Sequence, residues 1–406
     1  MPSTYLLILA LLLPITPLHG QPTNTPPTTL QAPTPAVPAG VADLLTQIER
    51  AVLAQDKPAY MALVVPEAGP LVDQVFRTEQ GRWADDWVKN RVEVYKLKAT
   101  PAEPGLGIQG SGPDRFVCRL KTTWKLPTSK RTRSTEFEAV FVRTEAGAWL
   151  YAGEAWCTAE HPATATFAGA RVKFNPADAV VAKTASIAGA AMPEVRAHVD
   201  DFLGVKPTVV QEIKLYRSLA HLQHSIWLSY TEPLGGWNEP GEAIKVLVTP
   251  DSVRNIRGYL AHEYAHVATF VHGPNATDAP WWLLEGIAEL ASANYRPGAT
   301  EARQRTVAAW AEQDQFAPWE AIAAFPLKPE DEQYYRHVYT QGEDMLAWQT
   351  EQFGAQARNA FVASVCKGDS LDVASTKAFG KPWAAIDALW RNAAALLIKP
   401  EPENAP

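Results

Sequence analysis

Apolar residues recur at Val41, Leu44, Leu45, Ile48, Ala51 and Val52, the three-and-four spacing of one helix face, and the pattern stops near Lys57-Pro58. A second short helix is predicted around Trp83 and Trp87. The pattern then becomes strand-like over 92–97, 115–124, 135–143 and 149–157. Gly/Pro-rich turns at 101–113 and 126–129, and a turn at Glu145-Ala146-Gly147, separate these runs. Helices first and antiparallel strands after predict an α+β domain over 41–162.

From 163 onward the pattern changes again. A helix is predicted at 176–203, a strand at 208–215, a further short helix, and a strand at 244–248 that reads as a sheet edge. Pro250-Asp251-Ser252 opens the next helix, with Asp251 or Ser252 as its cap, and Gly273-Pro274 closes it. From Trp281 to Arg391 the chain reads as helical, with breaks at Pro297-Gly298, 326–329, Gly354 and Gly380-Lys381-Pro382. The second domain, 163–398, is therefore expected to be mainly helical with a small sheet.

The ends carry no such periodicity. Residues 21–40 are Pro/Thr-rich and cannot bury a core, so they read as an extended linker, and the tail 399–406 reads the same way. Tyr5 to Ile15 is almost wholly apolar, and Gly20 offers a cleavage point before Gln21, so residues 1–20 read as a secretory signal. The run lacks a preceding Lys or Arg and has Leu18 where a small residue is usual; an uncleaved membrane anchor is the alternative. No cysteine follows the run, so a lipid anchor there is not supported. A secreted or periplasmic location is expected.

Composition narrows the partners. The 406-residue chain is 47% hydrophobic and 20% charged, with net charge −7 and no basic run, which argues against nucleic acid. Of Cys118, Cys157 and Cys366, the first two fall in strand-like runs of one domain, so an oxidising compartment permits one disulfide between them; three buried thiols are the other reading.

The chemistry is concentrated at His262-Glu263-Tyr264-Ala265-His266. On a helix, residues four apart point the same way, so His262 and His266 can share one ion. Glu263 lies one step round, where it can take a proton from water without ligating the metal. Zinc suits such a site because it accepts imidazole and carboxylate and keeps one position open. The motif arises by accident in on the order of one chain in a hundred of this size, so a third ligand must corroborate it.

Two residues compete for that place. His272 gives the spacing His-Glu-x-x-His-x-x-Thr-x-x-His, similar to that of the metzincin peptidases, which carry Gly where this chain has Thr269. A β-branched residue resists the sharp exit from the helix needed there. Glu285, in Trp281-Trp282-Leu283-Leu284-Glu285-Gly286-Ile287-Ala288-Glu289, follows His266 by eighteen intervening residues, enough for a turn and an antiparallel return helix. Glu289 shares its face and can orient a ligand imidazole from behind. Glu285 is favoured because it agrees with the local backbone chemistry.

With Glu285, the motif resembles the gluzincin signature of thermolysin-like, alanyl-aminopeptidase-like and peptidase MA-like zinc peptidases. The likeness extends to 338–354, where Tyr339 and Gly342 match a Tyr-x-x-Gly helix, and loosely to 368–391. It implies a thermolysin-like domain holding Zn2+ through His262, His266 and Glu285, with Glu263 as general base and Tyr339 stabilising the oxyanion. Upstream, aminopeptidase relatives carry Gly-x-Met-Glu-Asn; here Gly235-Gly236-Trp237-Asn238-Glu239 has the last two reversed, and a Gly/Pro-rich turn explains the run as well. An endopeptidase acting on peptide or protein substrates is expected. The first domain resembles, in pattern alone, the nuclear transport factor two-like cone fold. A catalytically inactive binding or scaffold module of the cell envelope is the other function class. His337 reads as a surface residue, His221 and His224 as structural or exposed, and the Trp281-Trp282 pair as packing. Oligomeric state is not legible.

Overall fold

The computed structural model describes residues 36–66, 75–102, 112–157, 165–167, 170–231 and 233–397, the side chains of 157 and 165–167 excepted. Residues 1–20, read above as a secretory signal, most of the 21–40 segment and the tail 399–406 lie outside these residues. The fold is α+β: an antiparallel four-stranded sheet with its helices, then a mainly helical region with a smaller mixed sheet.

Helices α1 (Ala39–Leu53), α2 (Lys57–Ala62) and α3 (Phe76–Asn90) come first. All six apolar positions of the α1 stripe are buried. The short α2 carries little apolar periodicity of its own; Asp56 caps it, accepting from the Ala59 amide. Strands β1 (Val94–Pro101), β2 (Arg115–Lys125), β3 (Arg133–Arg143) and β4 (Trp149–Glu154) pair antiparallel in chain order. Alternate residues of β2, from Phe116 to Trp124, point inward onto the helices, with Trp83, Trp87 and Trp124 in the core. Cys118 is a buried free thiol, so the Cys118–Cys157 disulfide is not formed.

The second sheet runs in the order β5 (Ala165–Phe167), β6 (Ala170–Lys173), β7 (Gln211–Tyr216), β9 (Ile244–Leu247), β8 (Gly236–Trp237). Its central pairs are parallel, and β8 runs antiparallel to β9. The 244–248 run is therefore an interior strand; the edge is β8, a stretch the sequence reads as a turn because two residues with a glycine carry no alternation. One face of this sheet packs Val172, Ile213, Leu215, Ile244 and Val246 against α4 (Ala179–Leu203), and α5 (Leu219–Ile226) lies beyond β7. Asp178 caps α4, accepting from the Val180 and Val181 amides, and Gly204 closes it in the left-handed conformation. Both layers belong to one compact unit.

Helices α6 (Pro250–Arg254), α7 (Ile256–Phe270), α8 (Trp281–Ser292), α9 (Ala299–Glu312), α10 (Tyr335–Phe353), α11 (Ala355–Cys366), α12 (Leu371–Phe379) and α13 (Trp383–Ala395) complete the chain. The residue that caps the segment before the metal motif is Thr249, not Asp251 or Ser252. Ser252 sits three positions in and returns the bond to the Thr249 amide, closing a capping box. His337 is buried, stacked on Trp310 with ring centroids 3.8 Å apart, rather than at the surface. Among the described residues no helix is long and apolar enough to cross a membrane.

His224 is also structural. Its ring lies among Trp83, Trp124 and Phe137, and its Nε2 has no hydrogen-bond partner among the described residues. Burial, reinforced by the charges of His221 and Arg133, pushes its pKa down to about 3. The unfolded chain then binds a proton that the folded chain refuses. This contribution to stability is complete above about pH 6.5 and is lost at about 1.4 kcal/mol per pH unit as pH falls toward the folded value. Urea melts between pH 7 and 4 are expected to show this slope, reduced by one proton in His224→Phe; an unchanged slope in the variant would refute the assignment.

Candidate metal centre

Helix α7 presents two faces. Leu260, Ala261, Tyr264, Ala265 and Ala268 are buried in the core, and the Tyr264 hydroxyl donates to Asp200 of α4 at 2.9 Å. His262, Glu263 and His266 face a cleft of about 620 Å³. Helix α8 returns beside α7, its first amides at Trp281 and Trp282 donating to the Ala323 and Ile322 carbonyls, and brings Glu285 and Glu289 to the same cleft.

The donor atoms converge. His262 Nε2 lies 3.1 Å from Glu285 Oε2 and 3.3 Å from His266 Nε2, and His266 Nε2 lies 3.6 Å from Glu285 Oε2. Zinc bonds of about 2.0–2.1 Å in tetrahedral array put neighbouring ligand atoms roughly 3.3–3.4 Å apart, so the triangle has the size of one tetrahedral face. The His262 tautomer agrees. Glu289 Oε1 stands 3.1 Å from His262 Nδ1, which donates to it, and this leaves the Nε2 lone pair aimed at the Glu285 oxygen. Two acceptors, His262 Nε2 and Glu285 Oε2, thus face one another with His266 Nε2 beside them, an arrangement that a cation among the three would relieve. The donor set fits zinc.

The electrostatics carry the same demand. Burial alone would lower the His262 pKa, but hydrogen bonds and charge from Glu285 and Glu289 outweigh it and hold the imidazole well above its usual range. Burial would raise Glu285 and Glu289, yet the imidazoles, and Arg296 for Glu289, hold both below the usual carboxylate range. Glu289 is fixed in turn by Arg296, and Trp281 Nε1 donates to Glu285 Oε1 at 2.9 Å, which turns Oε2 toward the histidines. Trp282 is pure core, whereas Trp281 lines the cleft.

Glu263 supplies no atom to the triangle. It is buried, and burial pushes its carboxyl up against the opposing pull of the two imidazoles. Gly236 of β8 lies over it: a Cβ there would stand 2.2 Å from Glu263 Oε1, so any side chain at this position would push the Glu263 carboxylate aside. Tyr339, on α10, lines the same cleft, its hydroxyl 3.4 Å from that of Tyr335 and its ring 6.0 Å from Trp281. His272 sits in the turn after α7, outside the cluster; α7 stays helical through Thr269, so the chain makes no sharp exit there.

Sequence reasoning missed three features. The edge strand passes over Glu263, Arg296 holds Glu289, and Asn238 is buried at the cleft with neither amide atom partnered among the described residues. The Gly235-Gly236 pair was the one signal available for the first.

No family model matches the chain, and no curated protein matches it. Among solved structures, it is similar to an M1 zinc metallopeptidase from Deinococcus radiodurans, at 17% identity and a TM-score of 0.35, over 58% of this chain and 49% of that one. The chain thus spans about half the length of that protein.

Proposed function

We propose that this protein is a secreted zinc-dependent endopeptidase. The observation that carries the reading is the ligand-atom triangle of His262, His266 and Glu285, with the His262 tautomer set from behind by Glu289. Bound there, zinc would polarise the scissile carbonyl and lower the pKa of the attacking water.

The chain's own residues supply the rest. Glu263 takes the proton from the attacking water and returns one to the leaving amide nitrogen, so that the C–N bond breaks with a neutral amine departing. Tyr339 donates its hydroxyl to the carbonyl oxygen as charge develops on it. The outer edge of β8 pairs with an extended stretch of substrate, which suits cleavage within a chain. Glu239, which could otherwise meet a free substrate amine, already faces Arg82 at 3.7 Å. Residues 1–20 would direct the protein out of the cytoplasm.

Purified protein dialysed against zinc is expected to hold one ion per chain and to hydrolyse casein, with both properties lost on chelation. Metal-free protein after zinc loading, or zinc-loaded protein inert toward casein and other unfolded proteins, would sink the reading; the second result would leave a binding module.

A further inference from the structure

The second sheet has an unusual covered face. Opposite the apolar side packed on α4, neighbouring strands place Lys173, Lys214 and Lys245 in register, one beside the next. All three are buried. A ladder of like charges is unfavourable and demands compensation. Glu212 meets Lys173 at 3.3 Å and Glu242 meets Lys245 at 3.3 Å. The remaining acid comes from α3: Glu79 reaches Lys214 at 2.5 Å and Lys245 at 3.7 Å, and accepts from the Ala243 amide at 3.2 Å.

The charge chain continues outward to the cleft. One turn along α3 from Glu79, Arg82 lies 3.2 Å from Glu242 and 3.7 Å from Glu239, and Glu239 lines the cleft beyond β8. The other end of the β8 wall is held from the same side. Trp83 Nε1 donates to the His224 carbonyl at 2.9 Å, Asp86 accepts from the Ser229 amide at 3.0 Å, and Trp124 Nε1 donates to the Leu228 carbonyl at 3.0 Å. The first sheet and its helices thus grip the chain just before and just after the strand that crosses Glu263, while among the described residues β8 pairs with β9 alone.

We propose that α3 is part of the substrate-binding apparatus, with Arg82 as a positioning residue that holds Glu239 and, through it, the outer wall of the cleft. This rests on the peptidase reading for its kinetic consequence, though not for its structural one. Glu79 is the poorer probe, because its loss removes a buried acid shared by Lys214 and Lys245 and threatens the fold. Arg82 is partly exposed and can be changed alone.

In zinc-loaded protein, Arg82→Gln is expected to raise KM for dye-labelled casein about fivefold, through the loss of its partly exposed pairings with Glu242 and Glu239, with kcat and zinc content within about twofold. Arg82→Lys should recover most of the loss. Amide exchange over 233–241 should quicken in Arg82→Gln while α7 and α8 keep their protection. An unchanged KM with unchanged exchange overturns the proposal, as does a parallel fall in kcat and zinc content. If wild-type protein cleaves nothing, the peptidase reading fails, and the exchange measurement alone decides whether Arg82 holds the wall.

Discussion

Glu263→Gln is expected to abolish peptide hydrolysis while leaving zinc bound. The carboxylate contributes no atom to the donor triangle, so removing its charge leaves His262, His266 and Glu285 in place. The amide keeps the side chain's size beneath Gly236, where a larger group would have no room. What disappears is the proton acceptor, and general-base catalysis accounts for about 10²- to 10⁴-fold of rate. Zinc stoichiometry and casein turnover measured on the same preparation check both halves. A variant retaining more than about a tenth of wild-type turnover would remove Glu263 from the mechanism. A variant that lost zinc as well would leave its role untested by turnover, and the comparison would pass to Glu263→Asp, which keeps the charge and moves it back from the cleft.

Gly342→Ala is expected to destabilise the protein, against the usual sign of this substitution. In a helix interior, alanine is worth about 1 kcal/mol over glycine. Here α8 and α10 cross at a glycine pair. A Cβ on Gly342 would stand 2.2 Å from the Trp282 carbonyl oxygen, and one on Gly286 would stand 2.4 Å from the Gly342 carbonyl carbon. These obstacles are backbone atoms, which cannot rotate away, so the helices must separate. Overpacking of this kind costs about 1–3 kcal/mol or more, which outweighs the propensity gain. Because α8 carries Glu285 and Glu289 and α10 carries Tyr339, separation also spreads the site. A lower urea midpoint together with weaker zinc retention is the expected result; a midpoint at or above that of wild type would show that the two helices do not meet this closely.

The two glycines illustrate how unevenly the fold was written in the sequence. The α1 stripe, the four antiparallel strands and the long α4 are local patterns, each readable from spacing, and the structure forms them within a few residues of the expected bounds. Gly286 and Gly342 carry no such signal, because the reason for each is a backbone atom of a helix distant in sequence. The same holds for Trp281, half of a pair that reads as packing. Its indole bonds Glu285 four residues on, and only the opening of the cleft beside it distinguishes it from Trp282.

The sequence alone determined that His262 and His266 share a helix face, that Glu285 and Glu289 share another, and that a sharp exit at Thr269 is unfavourable, since each follows from the period of one helix or the shape of one side chain. Tertiary structure decided that the two faces meet with their donor atoms 3.1 to 3.6 Å apart. It also decided that the sheet edge is Gly236–Trp237 and not 244–247, and that Arg82 reaches Glu242 across 160 positions of chain. Helical period is set by neighbouring residues, whereas strand order and buried charge pairing depend on what distant segments bring to the same place.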